Sequence, residues 1–345
     1  MSDNTREGEQ QQQMQEISIC DDVWLEIFAL ISPLELGHLM ALISDRFDAL
    51  VDVHFKSRKW SLGSMAICNA TDGNGAQITK YPSGRLPIPQ GPMPGKLIGF
   101  EYIWISYVDQ TVIEFLQRIR RLFDSTGTNV EIHTFVSHRR SWEIIWQMIW
   151  PLINDNICRL LLSYSDQLDR LRQFSPAILR NCAKLRLIDS IEHFPDFPAQ
   201  DNADASSSQA MAKWLLTPRG DGLPKMLLSW FYSERMEGLK RSFVSASAPV
   251  NFIVRLLSYS LGREPFELTN NWTGERLTFR RFDKCYWLLV RCPIVREEDK
   301  WTNWEKEVIA WQWRRQWNCV HINVNGLHIG DDLVDAKAGP SEAKK

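Results

Sequence analysis

Phe100–Phe135 reads FEYIWISYVDQTVIEFLQRIRRLFDSTGTNVEIHTF. Phe100–Ile105 is rich in aromatic and β-branched residues and reads as a strand. Val112, Phe115, Leu116, Ile119 and Leu122 follow at helical spacing. Val130–Phe135 then alternates as a strand does. One strand–helix unit therefore ends where the next begins.

The same text continues downstream. Trp142, Ile145, Trp146, Met148, Ile149 and Leu152 predict a helix, and Ile157–Leu162 a strand. Leu168–Leu179 reads as helical with a restart at Ser175-Pro176, and Leu185–Ile188 is again a strand. Strand starts near 100, 130, 157 and 185 give a spacing of about 27–30 residues, within the range of repeat architectures. A unit of this size cannot bury its own apolar face, and stacking solves that. The units resemble leucine-rich repeats without a legible asparagine ladder, so the expected fold is a degenerate strand–helix solenoid. An ordinary α/β domain with evenly spaced elements is the alternative.

Beyond this run, 195–209 (PDFPAQDNADASSSQ) reads as a polar, mobile surface loop. Ala210–Leu216 suits a helix and Met236–Val244 a helix or part of a strand pair; Lys225–Phe231 and Asn251–Leu257 suit strands. Pro265–Thr269, Glu275–Phe282 and Tyr286–Cys292 form an antiparallel series separated by Asn270-Asn271 and Asp283-Lys284 turns. A Trp-rich helix over about 301–317 and a strand at 320–324 close the domain. The fold class is thus α+β or α/β, with helices at the N-terminus and a strand–helix domain behind them.

Upstream, Ile19–Phe55 reads ICDDVWLEIFALISPLELGHLMALISDRFDALVDVHF. Asp21 or Asp22 can cap a first helix carrying Val23, Trp24, Ile27, Phe28 and Ile31. Ser32-Pro33 stops it and starts a second with Leu34, Leu36, Leu39, Met40, Leu42 and Ile43. A third begins near Ser44-Asp45 and carries Phe47, Leu50, Val51 and Val53. Three short helices cannot hide this many large apolar groups among themselves, so another surface is expected to cover some of them.

The Asp21–Phe28 run, Pro33-Leu34-Glu35-Leu36, and Asp45-Arg46-Phe47 leading to Leu50 resemble an F-box, the adaptor-binding segment of substrate receptors in cullin-RING (SCF-type) ubiquitin ligases. The family usually opens with Leu-Pro where Ile19-Cys20 stands here. Pro224–Trp230 (PKMLLSW), Leu239–Leu256 (LKRSFVSASAPVNFIVRL) and the FELTN run resemble the F-box-associated regions of expanded nematode families. The resemblance implies an adaptor-binding set of Ile19, Cys20, Val23, Leu25, Ile27, Phe28, Pro33, Leu34, Leu36 and Leu39, with Arg46, Phe47 and Leu50 bracing the third helix. Its implied partners are a Skp-type adaptor, through it a cullin, and a protein target held by the C-terminal domain. A repeat-type interaction scaffold that binds no adaptor is the competing reading.

The expected domains are a disordered tail at 1–16, the F-box at 17–58, and a Pro- and Gly-rich linker at 59–97. The recognition domain follows at 98–330 and a second tail at 331–345. A net charge of −2 gives no whole-chain field for nucleic acid or membrane, although four Arg doublets occur. Seven scattered Cys without CxxC spacing suggest neither a disulfide framework nor zinc, and a reducing compartment, cytoplasmic or nuclear. No apolar run has transmembrane length. No catalytic constellation is legible: His133 and His138 lack further ligands, and Cys20 and Cys182 lack a nucleophile signature. The expectation is a protein that is not an enzyme and carries no cofactor. Trp142, Trp146 and Trp150, spaced by four, read as core.

Overall fold

Asp21 and Asp22 stand in the first turn of helix α1 (Asp21–Phe28), where carboxylates favour the positive end of the helix dipole. The computed structural model describes residues 19–31, 35–57, 59–71, 73, 75–80, 84–93, 95–190, 192–259, 263–312, 316–326 and 328–334. The chain divides into two compact units, Met1–Arg58 and Lys59–Lys345.

In the first unit, a π-helical turn (Leu36–Met40) separates α1 from α2 (Asp45–Ser57). The expected second helix is reduced to that turn among the described residues. Gly37 within it has poor helix propensity, which weakens a longer helix. Trp24 and Phe47 meet edge to face at 4.7 Å, and the Phe28 ring lies 5.7 Å from that of His54. Arg46 ties the start of α1 to α2, donating to Asp21 Oδ1 and to the Ile19 carbonyl, both at 2.7 Å.

In the second unit, β1 (Trp60–Ser61), β2 (Ser64–Asn69), β3 (Ala76–Lys80), β4 (Gly84–Pro87) and β5 (Leu97–Gly99) come from the stretch expected to be a linker. Residues 59–97 are therefore part of the fold: Met65, Ile67, Ile78 and Leu86 are buried in it. Of the described glycines and prolines that suggested a linker, Gly73, Gly75, Pro89 and Pro92 lie between strands, and Gly84 and Pro87 lie within β4. Then come β6 (Tyr102–Ile105), α3 (Gln110–Arg118), α4 (Arg120–Thr126) and β7 (Thr128–Ile132). Helix α5 (Arg139–Ile144) passes through a π turn into α6 (Trp150–Ile153), followed by β8 (Ile157–Leu162). Next are α7 (Asp166–Phe174), α8 (Ile178–Asn181), β9 (Leu187–Ser190), α9 (Ser207–Leu215) and β10 (Lys225–Trp230). The chain continues through α10 (Ser233–Val244), β11 (Phe252–Leu257), β12 (Phe266–Asn270), β13 (Glu275–Arg281) and β14 (Tyr286–Pro293). It closes with α11 (Glu298–Ile309), β15 (Cys319–Ile322) and α12 (Asp331–Val334).

Among the described residues, one large mixed sheet runs β12-β13-β14-β11-β10-β9-β8-β7-β15-β6-β2-β3-β4. From β7 to β11 the strands are parallel and neighbours in space in the order of the chain. Parallel crossovers share one hand, so winding in a single direction sends their helices to one face of the sheet. Val130, Ile132, Leu160, Leu162, Ile188, Leu227, Val254 and Leu256 share a face by register, and none is more than 3% exposed. Trp142 and Trp150 are buried, as a core reading requires, whereas Trp146 is half-buried.

Among the described residues, the opposite face is covered only in part. Trp301, Val308 and Trp311, on and just after α11, pack on Leu187, Met226, Leu228, Ile253, Leu288 and Val290. Arg255 donates to the carbonyls of Val308 and Ile309, each at 3.2 Å, and so satisfies the open end of that helix. Glu307 binds Arg186 at 3.0 Å and Arg159 at 3.5 Å.

Three local devices fix this arrangement. Gly127 has φ of +82°, and a Cβ there would lie 2.2 Å from Cys158 Sγ, so both conformation and space demand glycine. Asn318, with φ of +54°, is wholly buried; its Oδ1 accepts from the Phe100 N–H at 3.0 Å and its Nδ2 donates to Leu122 O at 3.2 Å. That clamp sets β15 between β6 and β7. The 195–209 segment is also held: buried Arg172 donates to the carbonyls of Asn202 and Ala205, and a Ser206–Gln209 capping box starts α9. Those contacts anchor the backbone of this surface segment.

Candidate recognition surfaces

The residues expected to bind an adaptor divide by burial. Cys20 is exposed, Ile19 36% and Val23 44% exposed, and Leu25 and Ile27 half-buried. Phe28 and Leu36 are fully buried. Phe28 is therefore a core residue of the helical unit, because the Trp24, Phe47 and His54 rings surround it. Pro33, Leu34 and the side chain of Leu39 lie outside the described residues. Large apolar side chains do remain exposed in this unit: Leu30, Leu42, Ile43 and Val53 join Ile19 and Val23. Of these four the sequence reading placed Leu42, Ile43 and Val53 on helices but gave none of them a contact role.

A second surface lies on the uncovered half of the sheet. Parallel register puts Tyr102 and Trp104 of β6 beside Cys319 and His321 of β15, which in turn face Asn129 and Glu131 of β7. Their side chains share the face opposite Ile103, Ile105, Val320, Ile322, Val130 and Ile132. His133 follows β7, and its ring is 5.7 Å from that of His321. Tyr164, just past β8, sets its hydroxyl 3.0 Å from His133 Nε2, and Phe135 stacks on Tyr164 at 4.8 Å. Trp104 meets His321 edge to face at 5.4 Å. A row of rings thus crosses the ends of four strands, from Phe135 through Tyr164, His133 and His321 to Trp104. Its two ends are open: Phe135 is 51% and Trp104 42% exposed.

The row carries polar groups along one side. Glu131 Oε2 is 2.9 Å from His321 Nδ1, a close contact not aligned as a hydrogen bond. Asp189 stands two strands away on the same face, and burial pushes its carboxyl up to about 6. Arg255 pulls it down and Glu131 pushes it further up. Arg255 itself is drawn below the usual guanidinium range by burial. Cys319 and Cys182 are buried thiols, each pushed up to about 12, so neither supplies a thiolate at neutral pH.

This arrangement offers aromatic faces, hydrogen-bonding rings and a carboxylate at a partly open sheet. Aromatic groups of this kind serve both cores and recognition surfaces. Of its members the sequence reading had singled out His133 alone, paired with His138; the structure turns His133 to Tyr164 and sets His138 against Phe135. Among the described residues no cluster of three His, Cys, Asp or Glu could hold a metal ion, and no helix is long and apolar enough to cross a membrane. Compared with family models, curated proteins and solved structures, the chain matches none.

Proposed function

We propose that this chain is a substrate-recruiting subunit of a cullin-RING ubiquitin ligase. The helical unit docks on a Skp-type adaptor, and a protein target binds the ring-lined half of the sheet. The singly wound strand–helix order supports the solenoid reading, in which an open sheet face is the surface left for a partner. The chain does no bond chemistry in this reading. It raises the effective concentration of a target lysine near the charged conjugating enzyme.

The observation that carries the proposal is the compact N-terminal unit with Val23, Leu30, Leu42, Ile43 and Val53 left exposed. Apolar groups in such number on a small body favour a covering partner. The test is a pull-down of the full chain with a Skp-type adaptor, beside a Val23→Asp/Leu42→Asp double variant. Both positions are exposed, so the variant keeps its fold. Charges set in an apolar interface should cost about 2 kcal/mol or more, at least a ~30-fold loss of affinity. Failure of the unaltered chain to capture the adaptor would remove the proposal.

A further inference from the structure

On the helix side of the sheet, away from the row of rings, a cavity of about 370 Å³ opens between α8, α9 and the 217–221 turn. Lys225, the first residue of β10, lines it and is only 6% exposed. Its Nζ donates to the Trp214 carbonyl and lies 5.0 Å from the Trp214 ring centre. The two carboxylates of the cavity are already engaged: Asp201 with Arg180 at 3.4 Å, Asp221 with Arg219 at 2.6 Å. Lys184 donates to the neutral Asn156 side chain. Lys184, Lys213 and Lys225 line the cavity with Arg180 and Arg219, so five cationic residues stand against two carboxylates that are already paired.

Buried charge is costly unless an opposite charge accompanies it. Burial, with Arg219 adding repulsion, pulls Lys225 down to about 8. An anion in the cavity would relieve that penalty. Leu179, Leu185 and Pro218 supply apolar wall beside the cations. The volume is at the small end of organic-ligand sites and too small for a folded partner.

We propose that this cavity binds a small phosphomonoester, its dianionic phosphate set among Lys184, Lys213 and Lys225 and its apolar part against Leu179, Leu185 and Trp214. The excess of cationic over acidic residues in the lining favours a dianion over a monoanion. The site goes beyond the adaptor and target reading and does not depend on it.

The test is calorimetric titration of the full chain with phenyl phosphate, with benzyl alcohol as the uncharged control. Phenyl phosphate should bind one to one and benzyl alcohol should not. Lys225→Met should weaken binding at least about tenfold. Lys184→Ala/Lys213→Ala, at two exposed positions, should weaken it several-fold without loss of fold. Near pH 8 binding should take up protons, because the anion raises the Lys225 pKa; the uptake should vanish in Lys225→Met. Should Lys225→Met not fold, the Lys184→Ala/Lys213→Ala variant decides alone. No phenyl phosphate binding, or binding unchanged in that variant, overturns the site. A phosphoserine peptide that outcompetes phenyl phosphate overturns the free small molecule as its occupant.

Discussion

His321 Nδ1 lies 2.9 Å from Glu131 Oε2, although 190 positions separate them in the chain. The contact exists because β15 enters the sheet between β6 and β7. Without that strand the rings of Trp104 and His133 would have no His321 between them, and the open face would lose its continuous row.

Trp104 is the exposed aromatic end of that row, and its backbone is fixed by β2 and β15 on either side. Trp104→Ala should leave stability within about 1 kcal/mol, since the ring is not in the core. Target capture should weaken by about 2 kcal/mol or more, as for an aromatic interface anchor. Quantitative comparison of the proteins co-purifying with each chain measures this. An unchanged set at unchanged stability would mean that the target sits elsewhere.

Asp189 gives a pH signature. Its carboxyl titrates at about 6 when folded, against 3.8 for the ordinary side chain. The folded state therefore holds the proton more tightly than the unfolded state. Its contribution to stability is greatest below about pH 4, falls as pH rises towards 6, and is flat beyond. The fall should be on the order of 1–3 kcal/mol. Asp189→Asn should remove that fall and stabilise the protein at neutral pH. Urea denaturation of both proteins from pH 4 to 7 tests it, and parallel curves would refute the shift.

Glu275 and Arg291 form a wholly buried pair at 2.6 Å on adjacent strands β13 and β14. Glu275 also accepts the Val250 N–H at 2.7 Å, and the Arg291 guanidinium lies 5.2 Å from the Phe243 ring centre. Glu275→Leu strands a buried cation and should cost about 3–5 kcal/mol. Glu275→Leu/Arg291→Met removes both charges and should recover much of the loss. Chemical denaturation of the three proteins measures the coupling; a double variant no better than the single would count against it.

Phe28 acts through the fold of the helical unit. Phe28→Ala should destabilise that unit by about 3–5 kcal/mol, through lost contacts with Trp24, Phe47 and His54. Hydrogen exchange of α1 and α2 should rise while exchange of β7 to β11 stays unchanged. Equal exchange in α1 before and after the substitution would contradict the core assignment.

Local pattern determined much of this protein. Alternation in Val130–Phe135 and Ile157–Leu162, helical spacing in Trp142–Leu152, and turn chemistry at Asn270-Asn271 depend on near neighbours, and the strands and helices stand at those places. Strand register and partner choice depend on residues far apart. Nothing within Cys319–Ile322 says that it enters between β6 and β7; the Asn318 clamp on Phe100 and Leu122 does so only once the chain is folded. The same limit explains 59–97, where glycine and proline marked turns truly but the pairing of β2 with β6 made the stretch part of the sheet. Burial is likewise a tertiary property: Phe28 and Val23 look alike as apolar helix positions, yet only the packing of Phe47 and His54 makes the first core and leaves the second at the surface. The sequence alone thus determined most strands and helices from about residue 100 onward, because that rests on spacing of a few residues. Tertiary structure decided which side chains meet on the open face and around Lys225, because those meetings bring together residues tens to hundreds of positions apart.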